Sequence, residues 1–308
     1  MKFTLFTPVF NRERVLERVW NSIRAQTLRD FEWIVVDDGS TDGSWAKLEA
    51  WRAGADFPMT VLRHEKNSGK HVAWNHAVAI ARGELFVPCD SDDEFDADAL
   101  EYFAREWSAL STAQRAGASG INVLCRDAAT GAIVGTSFPG APLWSHNLEL
   151  TYRHRVAGEK WGCIRTELLR GRPFPVVPGY YPESYLWFSL ARTHRVLCLN
   201  RALRTYHRDQ GNQISSRVPR RERLPALFDY ACWHIRENWD WVRRRPLRLV
   251  GEGSNVFLRA RLLGLPAEAA RARLRGAQAA AWWPLFALVG WLRFLRIKPM
   301  MTRQEMTG

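Results

Sequence analysis

Apolar positions along this chain switch between short β-branched runs and helical spacing. Residues 3–9, 31–36, 59–63 and 85–89 read as strands, each a compact apolar run bounded by polar or turn residues. Between the first two, Val15, Leu16, Val19, Trp20 and Ile23 fall on one helical face, and Trp45, Leu48 and Trp51 do the same within 44–53. Ser68 is placed to cap a third helix through Val72, Ala73, Ala77 and Ile80. The order β-α-β-α-β-α-β predicts a parallel sheet wound with helices, whose ligands bind beyond the carboxyl ends of the strands. Further on the pattern predicts strands at 121–125, 133–138 and 196–199 and a helix over 183–192. Beyond 217 helical spacing dominates, and the chain is expected to divide near Ser215 to Pro219.

Composition narrows the class. With 308 residues, 46% hydrophobic, and 15 Trp and 15 Phe, the chain carries far too much apolar surface to stay unfolded. Its charge is uneven: residues 217–308 hold 18 basic and 7 acidic side chains, so +11 of the total +12 lies there. A basic, aromatic-rich segment points to nucleic acid or to an anionic membrane surface. The five cysteines are odd in number and form no CxxC pair, which suggests neither a disulfide framework nor a zinc ribbon. The N-terminus lacks a long apolar stretch and reaches Pro8 and Arg12-Glu13 quickly, so a reducing cytoplasm is the expected address.

Two predicted strand ends run into acids: Asp37-Asp38-Gly39-Ser40-Thr41-Asp42 and Asp90-Ser91-Asp92-Asp93. The first can serve as a strand-to-helix turn, with Gly39 at the bend, but this leaves Asp37 and Asp38 to face a base or ribose. The second can serve as an acidic helix start. Three carboxylates within four residues nevertheless repel one another unless a cation or several donors sit among them, and their hard oxygens suit Mg2+ or Mn2+.

Thr7-Pro8-Val9-Phe10-Asn11-Arg12, then Val35-Val36 leading into the first acid cluster, then Asn67-Ser68-Gly69-Lys70 with Asn75, then the second acid cluster follow one another over about ninety residues. In that order they resemble the signature of family 2 glycosyltransferases, and the resemblance covers roughly residues 1 to 210. It implies an α/β GT-A fold with a mostly parallel central sheet flanked by helices, a nucleotide-sugar donor, a divalent metal (Mn2+ or Mg2+) and inversion at the anomeric carbon. Residues 1–216 would form the catalytic domain, with a nucleotide-sugar half over 1–110 and an acceptor half over 111–216. Residues 217–308 would be a basic helical extension. Carried over, the resemblance puts the backbone around Pro8 and the Asp38 carboxylate against the nucleobase, Asp90 near the ribose, Lys70 near the donor and Asp92 on the metal, with Asn11 a further substrate-binding residue.

An inverting transfer also needs a base for the attacking hydroxyl. The family's acidic pair has its counterpart in Pro182-Glu183-Ser184, where the second acid is Ser184, so Glu183 alone remains as the candidate. A late histidine on the metal or diphosphate is matched by His207. The expected activity is therefore hexosyl or N-acetylhexosaminyl transfer from a nucleotide sugar, a UDP-sugar first, to a hydroxyl of a glycan or lipid-linked glycan.

Two rivals stand beside it. A nucleic-acid-binding protein would use Arg243-Arg244-Arg245 with Trp239 and Trp241, and would leave both acid clusters idle. A degenerate transferase-like scaffold would explain Ser184. His64, His71 and His76 crowd one region, but His71 and His76 are five apart, off the spacing of a helical zinc pair. Lastly, residues 279–292 carry no charge before Arg293, Arg296 and Lys298. That run is shorter than the roughly 20 residues a span needs, and Pro284 interrupts it. It is expected to lie in the interface of the inner membrane face, with Trp282, Trp283 and Trp291 at the headgroups, or else to pack as a buried helix.

Overall fold

The computed structural model describes residues 1–207, 221–274 and 281–307. The chain divides into two compact units, Met1–Pro175 with Leu186–Gln210, and Val176–Tyr185 with Gly211–Gly308. The division expected at Ser215 to Pro219 lies outside the described residues.

The first unit is built on one sheet. Strands β1 (Phe3–Val9), β2 (Phe31–Asp37), β3 (Met59–Arg63) and β4 (Leu85–Pro88) are parallel in the order β3-β2-β1-β4. Helices α1 (Leu16–Arg24), α2 (Ser44–Gly54) and α3 (Lys70–Ile80) make the crossovers. Every residue of β2 is buried, as a strand covered by helices requires. Trp33 fits inside because its indole N–H donates to Thr7 Oγ1 at 2.9 Å, and Trp20 stacks in parallel on Trp51 with centroids 4.8 Å apart. Because the order reverses at β1 and β4, the loops leaving β1, β2 and β4 open at one sheet edge.

Beyond β4 the sheet becomes mixed. A two-residue β5 (Glu94–Phe95) is followed by α4 (Ala99–Ser108), α5 (Thr112–Gly117), β6 (Ala118–Asp127), β7 (Leu143–Ser145), α6 (Asn147–Tyr152), β8 (Lys160–Arg165), α7 (Thr166–Arg170), α8 (Ser184–Leu190) and β9 (Arg195–Tyr206). β8 runs antiparallel to both β4 and β6, β9 runs parallel to β6, and β5 and β7 pair antiparallel with β9.

Two expectations need correction, and one strand was not anticipated. No strand covers 133–138: after an isolated bridge from Ile133 to Arg126, Gly135 takes φ +86° against the backbone of Ala157 and Gly158, which bends the run away. Conversely β8 was hidden by Gly162, which reads as a turn in sequence. Here it lets the Ile121 carbonyl approach to within 1.8 Å of where a Cβ would stand. Ser68 caps nothing with its side chain; α3 starts after Gly69 at φ +98°.

The second unit contains α9 (Leu224–Glu237), α10 (Trp239–Val242), α11 (Pro246–Leu262), α12 (Ala267–Ala272) and a last helix, Trp283–Thr307. α11 and the last helix close tightly because Gly253 and Gly290 lack side chains: a Cβ on Gly253 would fall 2.4 Å from the Phe286 ring. Among the described residues no helix is long and apolar enough to cross a membrane.

Candidate active site

The loops after β1 and β2 are knotted together. Asn11, at φ +53°, donates its backbone N–H to Ser40 Oγ (3.0 Å) and accepts the Thr41 N–H on its side-chain oxygen (2.8 Å). Arg12 donates its N–H to Ser44 Oγ at 2.9 Å. Pro8 is half-buried in β1 beside Val36. Gly39 adopts φ +78° and passes so near the Lys66 backbone that a Cβ would be 2.8 Å away, bringing the 64–69 segment alongside.

Asp38 fastens that segment. Its Oδ1 accepts the Ser68 N–H (2.9 Å) and lies 2.7 Å from His64 Nδ1, while Oδ2 accepts the Gly69 N–H (2.7 Å). The two backbone amides just ahead of α3 are thus held by a carboxylate from the neighbouring strand end. Asp37, wholly buried, accepts the Ser40 N–H and sits 3.4 Å from Arg63 Nε.

Lys70, first residue of α3, is thereby delivered to the second acid cluster, where its Nζ is 2.6 Å from Asp90 Oδ1. From β9, Arg204 donates Nη2 to Asp90 Oδ2 (2.7 Å) and Nε to Asp93 Oδ2 (2.6 Å). The His207 N–H donates to Asp93 Oδ1, and His207 Nε2 lies 3.1 Å from Glu94 Oε1. Pairing of Glu94 with Thr205 and of Phe95 with Arg204 staples the loop to β9.

The three acids differ in consequence. Burial alone would raise the Asp90 carboxyl, but Lys70 and Arg204 hold it well below the usual carboxylate range. Burial raises Asp93, with Arg204 opposing and Asp90 and Asp92 reinforcing. Asp92 is pushed up by burial and by the Asp90 charge. Among the described residues no other residue hydrogen-bonds to its carboxylate; Arg18 reaches only its carbonyl, at 3.4 Å. No three His, Cys, Asp or Glu side chains of the described residues gather as a ready-made metal cage.

Arg204 escaped the sequence. The signal was the improbability of Asp90, Asp92 and Asp93 standing together, which demands a counter-charge; part of that demand is met inside the protein. Glu183 belongs to the second unit, directly ahead of α8. The neighbouring Ser184 Oγ lies 2.6 Å from Tyr230 Oη, so where the family's pair has a second acid this chain has a bonded hydroxyl.

The model of glycosyl transferase family 2 matches residues 4–126, which contain both loop knots and all three acids. This chain carries a family 2 glycosyltransferase domain. Over 110 residues it is 31% identical to the putative colanic acid biosynthesis glycosyl transferase WcaA of Escherichia coli K12, a stretch covering 35% of this chain and 39% of that protein. The chain thus spans well under two thirds of that curated relative. Among solved structures, S. aureus TarS 1-349 in complex with UDP-GlcNAc aligns at TM-score 0.58 and 18% identity, over 94% of this chain and 90% of that one. A mannosyltransferase from Pyrobaculum calidifontis, in complex with GDP-Man and Mn2+, aligns at 0.52 and 20%, over 99% and 84%. The family 2 domain therefore sits in a GT-A fold, as its motifs implied.

Proposed function

We propose that the protein is an inverting, metal-assisted glycosyltransferase that moves a sugar from a UDP-sugar to a hydroxyl of a glycan or lipid-linked glycan in polysaccharide assembly. One observation carries the metal assignment: Asp90 and Asp93 are neutralised by Lys70 and Arg204, while among the described residues no other residue hydrogen-bonds to the Asp92 carboxylate. Mg2+ and Mn2+ fit such a site, since they bind through one or two carboxylates plus substrate phosphates. Asp92 would hold the cation, with His207 the second candidate. When bound, the cation offsets the charge developing on the departing diphosphate as a Lewis acid.

The chain's own residues take the remaining roles. Lys70 stands beside Asp90 within reach of a phosphate, and Asp90, kept ionised, is suited to accept from ribose hydroxyls. Asp38 spends three of its hydrogen bonds on the 64–69 segment, leaving acceptor capacity on Oδ2 for a nucleobase beside Pro8 and Asn11. Glu183 takes the proton of the attacking hydroxyl. The UDP preference is supported by the UDP-GlcNAc complex of TarS. A nucleic-acid role would leave the acid edge unused.

Asp92→Asn keeps the side-chain volume and removes the anionic ligand. Its turnover is expected to fall by at least about a hundredfold across a nucleotide-sugar panel with Mn2+. Wild-type rates from the variant would end the metal assignment.

The second unit supports attachment to the inner face of an anionic cytoplasmic membrane. Trp283, Phe286 and Phe294 of the last helix are buried, whereas Leu285, Leu288, Trp291, Leu292 and Leu295 are each at least 40% exposed, with Arg296 and Lys298 adjacent. The helix begins at Trp283, which puts Pro284 in its first turn, where proline is tolerated; Ala279 and Ala280 of the uncharged run lie outside the described residues. Full-length protein should pellet with anionic liposomes. The Leu288→Glu, Leu292→Glu double variant should partition at least about tenfold less, having lost two apolar contacts of about 1.5 kcal/mol or more each. Equal sedimentation of the two would remove the membrane role.

A further inference from the structure

The site of nucleotide-sugar chemistry leaves one side-chain constellation unexplained. His64, just past β3, and His76, on the exposed side of α3, converge: His64 Nε2 is 2.8 Å from His76 Nδ1, with ring centroids 4.8 Å apart and planes at 85°. His71, the third histidine of the region, is buried elsewhere on α3. The other nitrogen of His64 faces Asp38 Oδ1 at 2.7 Å, and Asp38 is 3% exposed. A carboxylate in that position keeps the His64 proton on Nδ1 and turns the Nε2 lone pair outward, the arrangement that orients imidazoles towards metal ions. With His64 in that tautomer, His76 Nδ1 is the donor across the 2.8 Å contact.

We propose that His64 and His76 form a two-imidazole site for a transition-metal ion of the Zn2+ type, oriented by Asp38 and completed by water. The geometry is nearly in place. Zn–N bonds of about 2.0–2.1 Å in a tetrahedron hold two nitrogens about 3.3 Å apart, so the rings must part by roughly half an ångström. His76 is exposed and can rotate to make that room. On binding, the His76 proton moves from Nδ1 to Nε2, which frees the Nδ1 lone pair for the ion with no net loss of protons. The chemistry is distinct from that of Asp92: imidazole nitrogen selects borderline ions such as Zn2+, whereas the acid cluster suits hard Mg2+ or Mn2+. The sequence hid the site because its members lie on a strand end and on the following helix, outside any i, i+4 pattern.

The site is also linked to the segment that carries Lys70. The carboxylate that orients His64 is the one that accepts the Ser68 and Gly69 amides ahead of α3. An ion on His64 therefore shares a hydrogen-bonding partner with the chain that delivers Lys70 to Asp90.

Zn2+ alone, titrated calorimetrically into the full chain without nucleotide, tests the proposal. Wild type should bind one equivalent that His76→Gln either loses or binds at least about tenfold more weakly, since losing even an outer-shell partner of a metal ligand costs that much. Asp92→Asn should retain that equivalent unchanged. Identical stoichiometry and affinity in wild type and His76→Gln would overturn the site, as would loss of the equivalent in Asp92→Asn rather than in His76→Gln. Neither outcome depends on turnover, so the glycosyltransferase assignment stands or falls separately.

Discussion

Arg204→Met is expected to destabilise the first unit by about 3–5 kcal/mol, because it strips the shared cation from two acids and leaves Asp93, 1% exposed, without a counter-charge. The effect has a pH signature. Asp93 is raised in the folded state, and losing the guanidinium raises it further, so its contribution is intact below the unfolded value of about 3.9 and is lost as pH climbs through the folded value. Asp90 is lowered, so its contribution is present above the unfolded value, and Arg204→Met removes part of it there. The unfolded values cancel between variant and wild type, so the Asp93 part of the deficit opens only as pH rises through its wild-type folded value of about 7, while the Asp90 part is already present at neutrality; the deficit is therefore larger near about pH 8 than near about pH 6. Urea unfolding at the two pH values measures it. Adding Asp93→Asn should restore part of the loss, since the two residues are in direct contact. A deficit under about 1 kcal/mol at neutral pH would show that the Arg204 contacts are no stronger than a surface pair.

Glu183→Gln should lower transfer to acceptor by about 10² to 10⁴-fold while donor affinity stays near wild type, because a general base acts only on the attacking hydroxyl. The substitution preserves shape, and the adjacent Ser184–Tyr230 contact, with Tyr181 packed edge-on against both Tyr185 and Tyr230, holds the local backbone. Transfer rates under saturating donor, with calorimetric binding of the nucleotide sugar, separate the two effects. Near-normal transfer would move the base to another carboxylate; parallel loss of donor binding would mean that Glu183 serves the donor instead. Rescue by Ser184→Asp in the Glu183→Gln background would show that the second position of the pair can still work.

What could be read from sequence divides along a physical line. The parallel half was legible because each β-strand is a short apolar run whose partners follow in order, and β1, β3 and α3 come within two residues of their expected ends. The mixed half was not. β8 and β6 owe their pairing to Gly120 and Gly162, which permit close backbone approach but look like turn residues in one dimension. In the site, motif order brought out Asp38, Lys70, Asp90 and Asp92. The supporting contacts were invisible because they span long separations: Asp38 to Gly69, and Asp93 to Arg204 across 111 positions. A lone arginine in a strand-like stretch looks like any solvated charge until the fold puts it inside.

The five cysteines, unpaired and each at most 2% exposed, carry one more consequence. Burial pushes every thiol up, to about 12 for Cys125, Cys163 and Cys198 and about 11 for Cys232, and higher still for Cys89. Thiolate is the reactive form, so the folded protein offers alkylating reagents almost nothing to attack. Labelling can then proceed only through opening of the surrounding core, which makes its rate a clock for that opening. Four of the five report on the first unit and Cys232 on the second, so mass-resolved alkylation would time the two units independently in a single sample, with no probe added.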